Sequence, residues 1–466
     1  MKPVSRRHLD HPPGPEHAVV IGAGIAGLLC AHVLGDAFTH VTIIERDRLT
    51  PEPRPRKGVP QGRHAHALQA RGHQALERLL PGIGDELAAA GAPSADFCLD
   101  GHLHLPYGSP PPLRSDIHIR MVSRPLLETL IRARVLSVPR VHIRDGCAAT
   151  GLTLSNDRRR ITGVRLRPST AGRASATETL RADLVADATG RGSHLPGWLT
   201  DLGLPGVRES TVDARVGYAS RTYRAAPALR GDWLALFELP HAPLFSRGAF
   251  ALRTEGGRLV VSLQGAAGDH PPGDEGGFEA FARSLAGGLY ETMRRSEPVT
   301  PVVRYAHTAN RRRHLHRLAP WPDGLIALGD AVCAFNPIYA QGMTVAALEA
   351  LVLRDMLTTR GGRLDGMAAE FQRRSARVVS RPWTLATLSD RAWQDQRPPV
   401  LVRLGVWYLE QWYKRVPTDP RMFYDIARVT NMTGNPLLLI HPRHVTHIAI
   451  NALHQSRRSS HTKPSR

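Results

Sequence analysis

The clearest pattern along the chain is an apolar run interrupted by three spaced glycines. Ala18-Val19-Val20-Ile21 predicts a short buried strand, Gly22-Ala23-Gly24-Ile25-Ala26-Gly27 follows, and apolar residues continue as a helix to about Leu34. Val41-Thr42-Ile43-Ile44 predicts a second strand, ending at Glu45-Arg46. Strand, glycines, helix, strand and acid together form a dinucleotide-binding unit. Gly22 makes the tight turn, Gly24 lets a pyrophosphate approach the helix N-terminus, and Gly27 lets helix and strand pack closely. Glu45 falls 18 residues after Gly27. There its carboxylate can accept both ribose hydroxyls of an adenosine, and it repels a 2′-phosphate.

A second unit lies three hundred residues downstream. Leu325-Ile326-Ala327-Leu328 follows the turn residues Pro322-Asp323-Gly324 and reads as a buried strand. Gly329-Asp330 ends it, and Met343 to Leu353 begin an apolar helix with Gln341 and Thr344 near its start. A helix N-terminus presents unpaired N–H groups and a partial positive charge, which seats an anion or an electron-rich ring.

Between these units the pattern is mixed. Residues 50–63 are rich in Pro, Arg and Gly and form a loop ending at Arg63-His64-Ala65-His66, before a helical stretch from Ala67 to Leu80. Arg63, facing the glycine turn, has the reach to contact a cofactor. Ser123 caps a helix through Leu126, Leu127, Leu130 and Ile131, with Arg124 at its positive end. A cation there needs a negative partner. Val141 to Arg144, Cys147 to Leu154, Ile161 to Arg167 and Thr177 to Leu180 read as a small antiparallel set. Ala182 to Gly192 is another strand ending in a Gly-rich loop that includes Asp187. No second glycine fingerprint follows, so one dinucleotide stays bound and any nicotinamide is a visitor. The resulting division has an arm at 1–16, a nucleotide-binding domain from 17–206 with 321–360, and a β-rich substrate domain at 207–320. A helical region at 361–455 and a disordered tail at 456–466 complete it.

The formal charge of +20 over 466 residues changes this picture little. Nearly all of it is Arg, spread along the chain, with Lys only at Lys2, Lys57, Lys414 and Lys463. No basic run interleaves with aromatics as stacking on bases requires, so a nucleic-acid partner is not expected; a weak attraction to a membrane surface stays open. Cys30, Cys98, Cys147 and Cys333 are far apart and form neither a zinc set nor a disulfide framework, which points to reduced thiols in a cytoplasm. His64/His66 and His102/His104 lack nearby Cys or carboxylate partners for a metal, and surface or pocket-lining imidazoles are expected. Arg6 and Arg7 before Ala18 to Gly35 mimic a signal peptide, but the spaced glycines, His32 and the strand that follows argue for a soluble protein.

The fingerprint at 22–27, Glu45-Arg46, Arg124, Asp187-Ala188-Thr189-Gly190-Arg191 and Gly329-Asp330 come in one order. Together they resemble the FAD-dependent aromatic-hydroxylase and squalene-epoxidase superfamily. Gly58 to His64, Gly268-Asp269-His270-Pro271-Pro272, Gly329 to Met343, and Arg381-Pro382-Trp383 with Asp390 are similar to a bacterial branch that includes polyether epoxidases. The likeness implies an α/β fold of the para-hydroxybenzoate hydroxylase type: a Rossmann-like FAD domain, an inserted β-sheet substrate domain and a helical C-terminal region. It implies that Asp330 binds the ribityl chain of FAD, Arg124 the phosphate or ribose region and Glu45 the adenosine ribose. Asp187 to Arg191 would be shared with transient NAD(P)H. Pro337, Gln341, Gly342 and Met343 would line the isoalloxazine, with Arg63 also flavin-facing; Gly22, Ala23, Gly24, Ala26, Gly27, Arg46 and Ala148 complete the cofactor set. One departure is Ala340, where related sequences have Gly; a positive φ there would cost about 1 kcal/mol.

The implied chemistry is monooxygenation. NAD(P)H, or a separate flavin reductase, supplies electrons, O₂ adds to the flavin as a C4a-hydroperoxide, and one oxygen goes to an apolar alkene or arene. The cofactor performs the hard step, so no acid–base pair is expected; a phenolic substrate would need a base, and Tyr218, His241 and Tyr339 are the candidates. A flavin halogenase would carry a Trp-x-Trp-x-Ile signature, which is missing. The alternatives are a flavin-dependent reductase of a prenyl-type lipid and a degenerate, non-catalytic flavoprotein. The Trp- and Leu-rich C-terminal region suggests a large substrate of polyketide or terpenoid type.

Overall fold

A computed structural model of the protein describes residues 15–169, 177–225, 233–394 and 400–449. Most of the 1–16 arm and the whole 456–466 tail lie outside the described residues. A five-stranded parallel sheet runs Leu325–Ala327, Leu184–Asp187, His17–Ile21, His40–Ile44, Val141–Arg144. In register, Val19 faces Thr42 on one side and Val185 on the other. Its strands are apolar on both faces because both are covered. On one face lie the fingerprint helix Ile25–Gly35, the helix Arg124–Leu136 and the helix Gly342–Arg360, sharing a core with Leu28, Leu29, Leu127, Ile131 and Leu351. On the other lie an antiparallel trio, Cys147–Leu154, Ile161–Pro168 and Glu178–Arg181, and the short helix Leu195–Asp201.

Two expectations are corrected. Val141–Arg144 is not in the antiparallel set but is the edge of the parallel sheet, paired with His40–Ile44. The preceding helix carries the chain back across the sheet, and a crossover connection delivers a parallel strand. The helix after the Arg-rich loop begins at Ala70; Ala67–Leu68 instead pair as a strand with Met121 and Arg120.

A second, larger sheet runs Glu297–Pro298, Gly217–Arg224, Arg258–Gly265, Arg247–Thr254, Ala235–Glu238, Gly101–His104. Gly101–His104 reaches it from well upstream of residue 207 and lies parallel to its neighbour. The C-terminal helices Met367–Arg391, Val400–Arg415 and Pro420–Thr430 follow, and Trp412, Met422 and Phe423 are buried in a core with Leu105 and Ile117. All four cysteines are free and buried. Among the described residues no helix is long and apolar enough to cross a membrane.

The glycine fingerprint is a packing device as well as a binding one. Gly22, at φ 104°, accepts the turn, and a Cβ on Gly27 would stand 1.8 Å from the Gly22 carbonyl oxygen. Gly27→Ala is therefore expected to force the turn and the helix apart at a cost of about 1–3 kcal/mol, measured by urea unfolding against the wild-type protein.

Candidate active site

One cavity of about 1250 Å³ runs from the fingerprint to the Gly-Asp turn and on beneath the second sheet. Gly22, Gly24, Ala26, Glu45, Arg46, Arg124, Ala148, Asp330, Pro337, Gln341, Gly342 and Met343 all border it. The two distant units thus meet directly: a Cβ on Gly329 (φ 63°) would lie 2.7 Å from the Ala26 Cβ on the fingerprint helix.

The seat is built from uncapped helix ends and held carboxylates. The fingerprint helix has Gly24 as N-cap and the helix Gly342–Arg360 has Gln341; neither receives a side-chain cap, and neither has an acid in its first turn. Both therefore offer free N–H groups to an anionic or electron-rich ligand. Glu45 is buried, and its two oxygens accept from the Ala23 N–H (2.9 Å) and the Asp47 N–H (2.9 Å). A carboxylate has lone pairs left over for hydroxyl donors. Arg124 stands over the turn, its Nη2 3.9 Å from where a Gly24 Cβ would be, and pairs with Glu128 at 3.2 Å. The negative partner its helix-end position requires is thus present within the chain.

Asp330 is half-buried and accepts no hydrogen bond from any described residue. Burial pushes its carboxyl up, opposed by Arg191, Arg124 and Arg311 nearby. The buried Gln341 Oε1 also has no partner among the described residues. An elongated cavity ending in unspent acceptors and free N–H groups fits a flavin nucleotide: Glu45 and the fingerprint at one end, Arg124 between, Asp330 and the 337–343 loop at the other.

Several expected residues lie elsewhere. Arg63 is exposed and does not border the cavity, because it closes the 3₁₀ turn Pro60–Arg63 pointing outward. Arg56, unmarked in an arginine-rich loop, points in instead: it pairs with Glu45 (3.1 Å), Asp47 (3.1 Å) and Glu128 (2.8 Å) and donates to the Ala23 carbonyl (3.2 Å). Asp187 is buried with both oxygens engaged, accepting from Thr189 N–H (3.0 Å) and the hydroxyls of Thr189 (2.6 Å) and Ser193 (2.5 Å). It shapes the Gly-rich loop rather than facing the cavity. Ala23 and Gly27 lie behind the turn, and His241 is outside the cavity while Tyr218 and Tyr339 border it.

Of the imidazoles, His64 and His66 line the pocket, one of the two placements expected for them. Burial pushes His64 and His66 down to about 4, so both are neutral at pH 7. His66 Nδ1 donates to the His64 carbonyl (2.9 Å), which leaves the lone pair on Nε2. Asp390, pushed up to about 6 by burial, accepts from Tyr339 OH (2.6 Å), Asn310 (2.6 Å) and Asn336 (3.0 Å). On the other side Gln69 donates to the Tyr339 carbonyl (3.0 Å). These bonds clamp the loop that carries Ala340, which does adopt φ 51°. Beneath the Gly-Asp turn, Glu349 accepts from the Gly329 N–H (2.6 Å) and from the Ser375 hydroxyl, fully buried.

Ala340→Gly removes the left-handed cost of a Cβ while adding backbone freedom, for an expected net gain of roughly 0.5–1 kcal/mol in urea unfolding of the apoprotein. Burial pushes Glu349 up to about 8. The folded chain therefore keeps a proton that the unfolded chain loses near the ordinary carboxyl value. From there to about pH 8 stability falls as pH rises, by up to about 1.4 kcal/mol per unit. Glu349→Gln should flatten that slope in unfolding measured across the same interval.

No protein-family model matches the chain. It is 34% identical over 421 residues to Protein Rv3254 of Mycobacterium tuberculosis, covering 87% of each. To the kynurenine 3-monooxygenase of Salinispora arenicola it is 28% identical over 407 residues, covering 84% of this chain and 82% of that one. The fold matches that of the flavin-dependent brominase Bmp2 with a TM-score of 0.66 at 15% identity, over 95% of this chain and 100% of that one. It matches p-nitrophenol 4-monooxygenase PnpA of Pseudomonas putida with a TM-score of 0.61 at 18% identity, over 90% and 99%. The chain belongs to one family with Protein Rv3254 and shares its fold with flavin-dependent monooxygenases and halogenases.

Proposed function

We propose that the protein uses FAD, NAD(P)H and O₂ to hydroxylate or epoxidise an apolar unsaturated or aromatic substrate. The observation that carries this reading is the polarity of the cavity. Most of its charged walls (Glu45, Arg46, Arg56, Arg124, Arg167, Arg191, Asp330) come from the nucleotide-binding segments, and Glu209, Asp213 and Arg311 join them from the 207–320 segment, outside the second sheet. The walls from the second sheet and the C-terminal helices include Phe237, Leu239, Phe250, Leu252, Leu385, Leu409, Tyr413, Phe423, Ile426 and Leu439, and no charged side chain among the described residues. A zwitterion such as kynurenine would find no counter-ion on the walls made by the second sheet and the C-terminal helices, and burying an unpaired charge is costly.

Bound FAD, once reduced, supplies the activation of O₂. The chain's own residues orient, exclude water and hold protons. The uncapped N-terminus at Gly342 favours negative charge on the adjoining ring. Burial pushes Tyr218 and Tyr339 well above the ordinary phenol range, so both keep their protons at neutral pH and neither acts as a base. That favours a substrate oxidised without prior deprotonation, an electron-rich alkene or arene. In this reading residues 17–206 with 321–360 hold the cofactor, while 207–320 and the C-terminal helices shape the substrate chamber.

The test is anaerobic reduction by NADH or NADPH with candidate polyenes, terpenoids and aromatic polyketides, followed by isotopically labelled O₂. One labelled oxygen atom should appear in product for each nicotinamide oxidised. Reoxidation that yields only hydrogen peroxide with every class, or saturation of a double bond without O₂, would overturn the reading.

A further inference from the structure

The large apolar side chains left in water are not scattered over the surface. Among the described residues, seven of the thirteen that are well exposed fall between positions 400 and 445. Leu401 (81% exposed), Leu404 (55%) and Trp407 (44%) recur at three-residue spacing along the helix Val400–Arg415, forming one stripe. Leu437 and Ile440 continue it on the next turn of chain, which Tyr408 joins through a hydrogen bond to the Leu439 carbonyl (2.5 Å). Clustered exposure of this kind marks an interaction surface, whereas single exposed apolar residues do not.

The same helix has a second face. Leu409 and Tyr413 border the apolar end of the cavity, so one helix separates that chamber from the outer stripe. The charge around the stripe is positive. Glu410 is engaged by Lys414 (2.9 Å) and Tyr107 (2.8 Å), Asp419 caps the helix Pro420–Thr430, and Asp425 holds Arg443 and His444. Arg403 and Arg421 form no ion pair among the described residues, and Arg403 lies exposed inside the stripe. An apolar strip with a Trp, bordered by unneutralised arginines, has the make-up of a helix that lies in an anionic lipid interface.

We propose that the stripe on Val400–Arg415 and the adjoining 437–440 turn is a lipid-docking surface, seating the protein on an anionic membrane with the apolar end of its chamber nearest the bilayer. The docking stands on the stripe itself. Only its purpose, uptake of an apolar substrate from lipid, rests on the proposed function.

The test is co-sedimentation of the FAD-loaded full chain with vesicles of phosphatidylcholine alone and of phosphatidylcholine with phosphatidylglycerol. Binding is expected to the anionic vesicles, weakened by salt. The double substitution Leu401→Glu/Leu404→Glu should lower the bound fraction on the order of tenfold, with flavin absorbance unchanged as the check on folding. Val299→Glu, at an exposed apolar position outside the stripe, should bind as wild type. No binding to either vesicle, equal binding to both, or undiminished binding by the double variant would overturn the proposal. So would a wild-type dimer in sedimentation velocity that the double variant converts to monomer, since the stripe would then be a seam between two copies. Sedimentation is read without turnover, so failure to oxygenate any substrate would count against the proposed function alone.

Discussion

The site depends on one contact between segments three hundred residues apart: the Gly-Asp turn resting on the fingerprint helix. It is possible only because Gly329 has no side chain to meet Ala26, and because Gly27 and Gly22 have already drawn the helix against its strand. Glu349 holds the turn from below through the Gly329 amide, and it sits on the helix whose N-terminus closes the cavity. One buried carboxyl group therefore ties Asp330 and the helix end at Gly342 into a single piece. Preorganisation of this kind matters where a large planar cofactor must be held at both ends.

Around that contact the molecule divides its polarity. Backbone amides, arginines and carboxylates gather at the parallel sheet, and apolar side chains fill the space between the second sheet and the terminal helices. The 336–341 loop is the border, and it is the most heavily braced segment of the site, with Asp390 and Asn310 on one side and Gln69 on the other. The bracing is what keeps Ala340 in a left-handed conformation that alanine seldom adopts.

Much of this was legible in the chain wherever the signal was local. The glycine spacing with flanking strands placed the fingerprint and Glu45, and the Gly-Asp turn with its following helix placed Asp330 and Gly342. What could not be read depended on partners far away in sequence. Arg63 and Arg56 sit in the same arginine-rich loop, and only the outward 3₁₀ turn decides that Arg56 is the inward one. Asp187 has the look of a ligand residue, yet Thr189 and Ser193 use up its oxygens. Glu349 is a single acid within a helix, a pattern that usually means a solvated face, and Asp390 was marked by the likeness without any role. Val141–Arg144 was visible as a strand, but which sheet it joins is set by pairings no short window contains, and the same holds for the place of Gly101–His104 in the second sheet.

The excess of arginine has a consequence beyond surface charge. Several guanidinium groups are turned inward and spent on main-chain oxygens: Arg191 on Ala309 and Phe335, Arg313 on Ala331 and Ser193, Arg312 on Ala376, Arg120 on Ala92. Except for Arg120, they act as stitches between the loop after Leu184–Asp187, the segment around Asn310–Arg313 with the Gly-Asp turn, and the long helix Met367–Arg391. A guanidinium has no accessible neutral form in a protein. Seams sewn this way therefore hold in alkali that would loosen lysine ones, and the joints between layers stay closed while the buried acids around them change state.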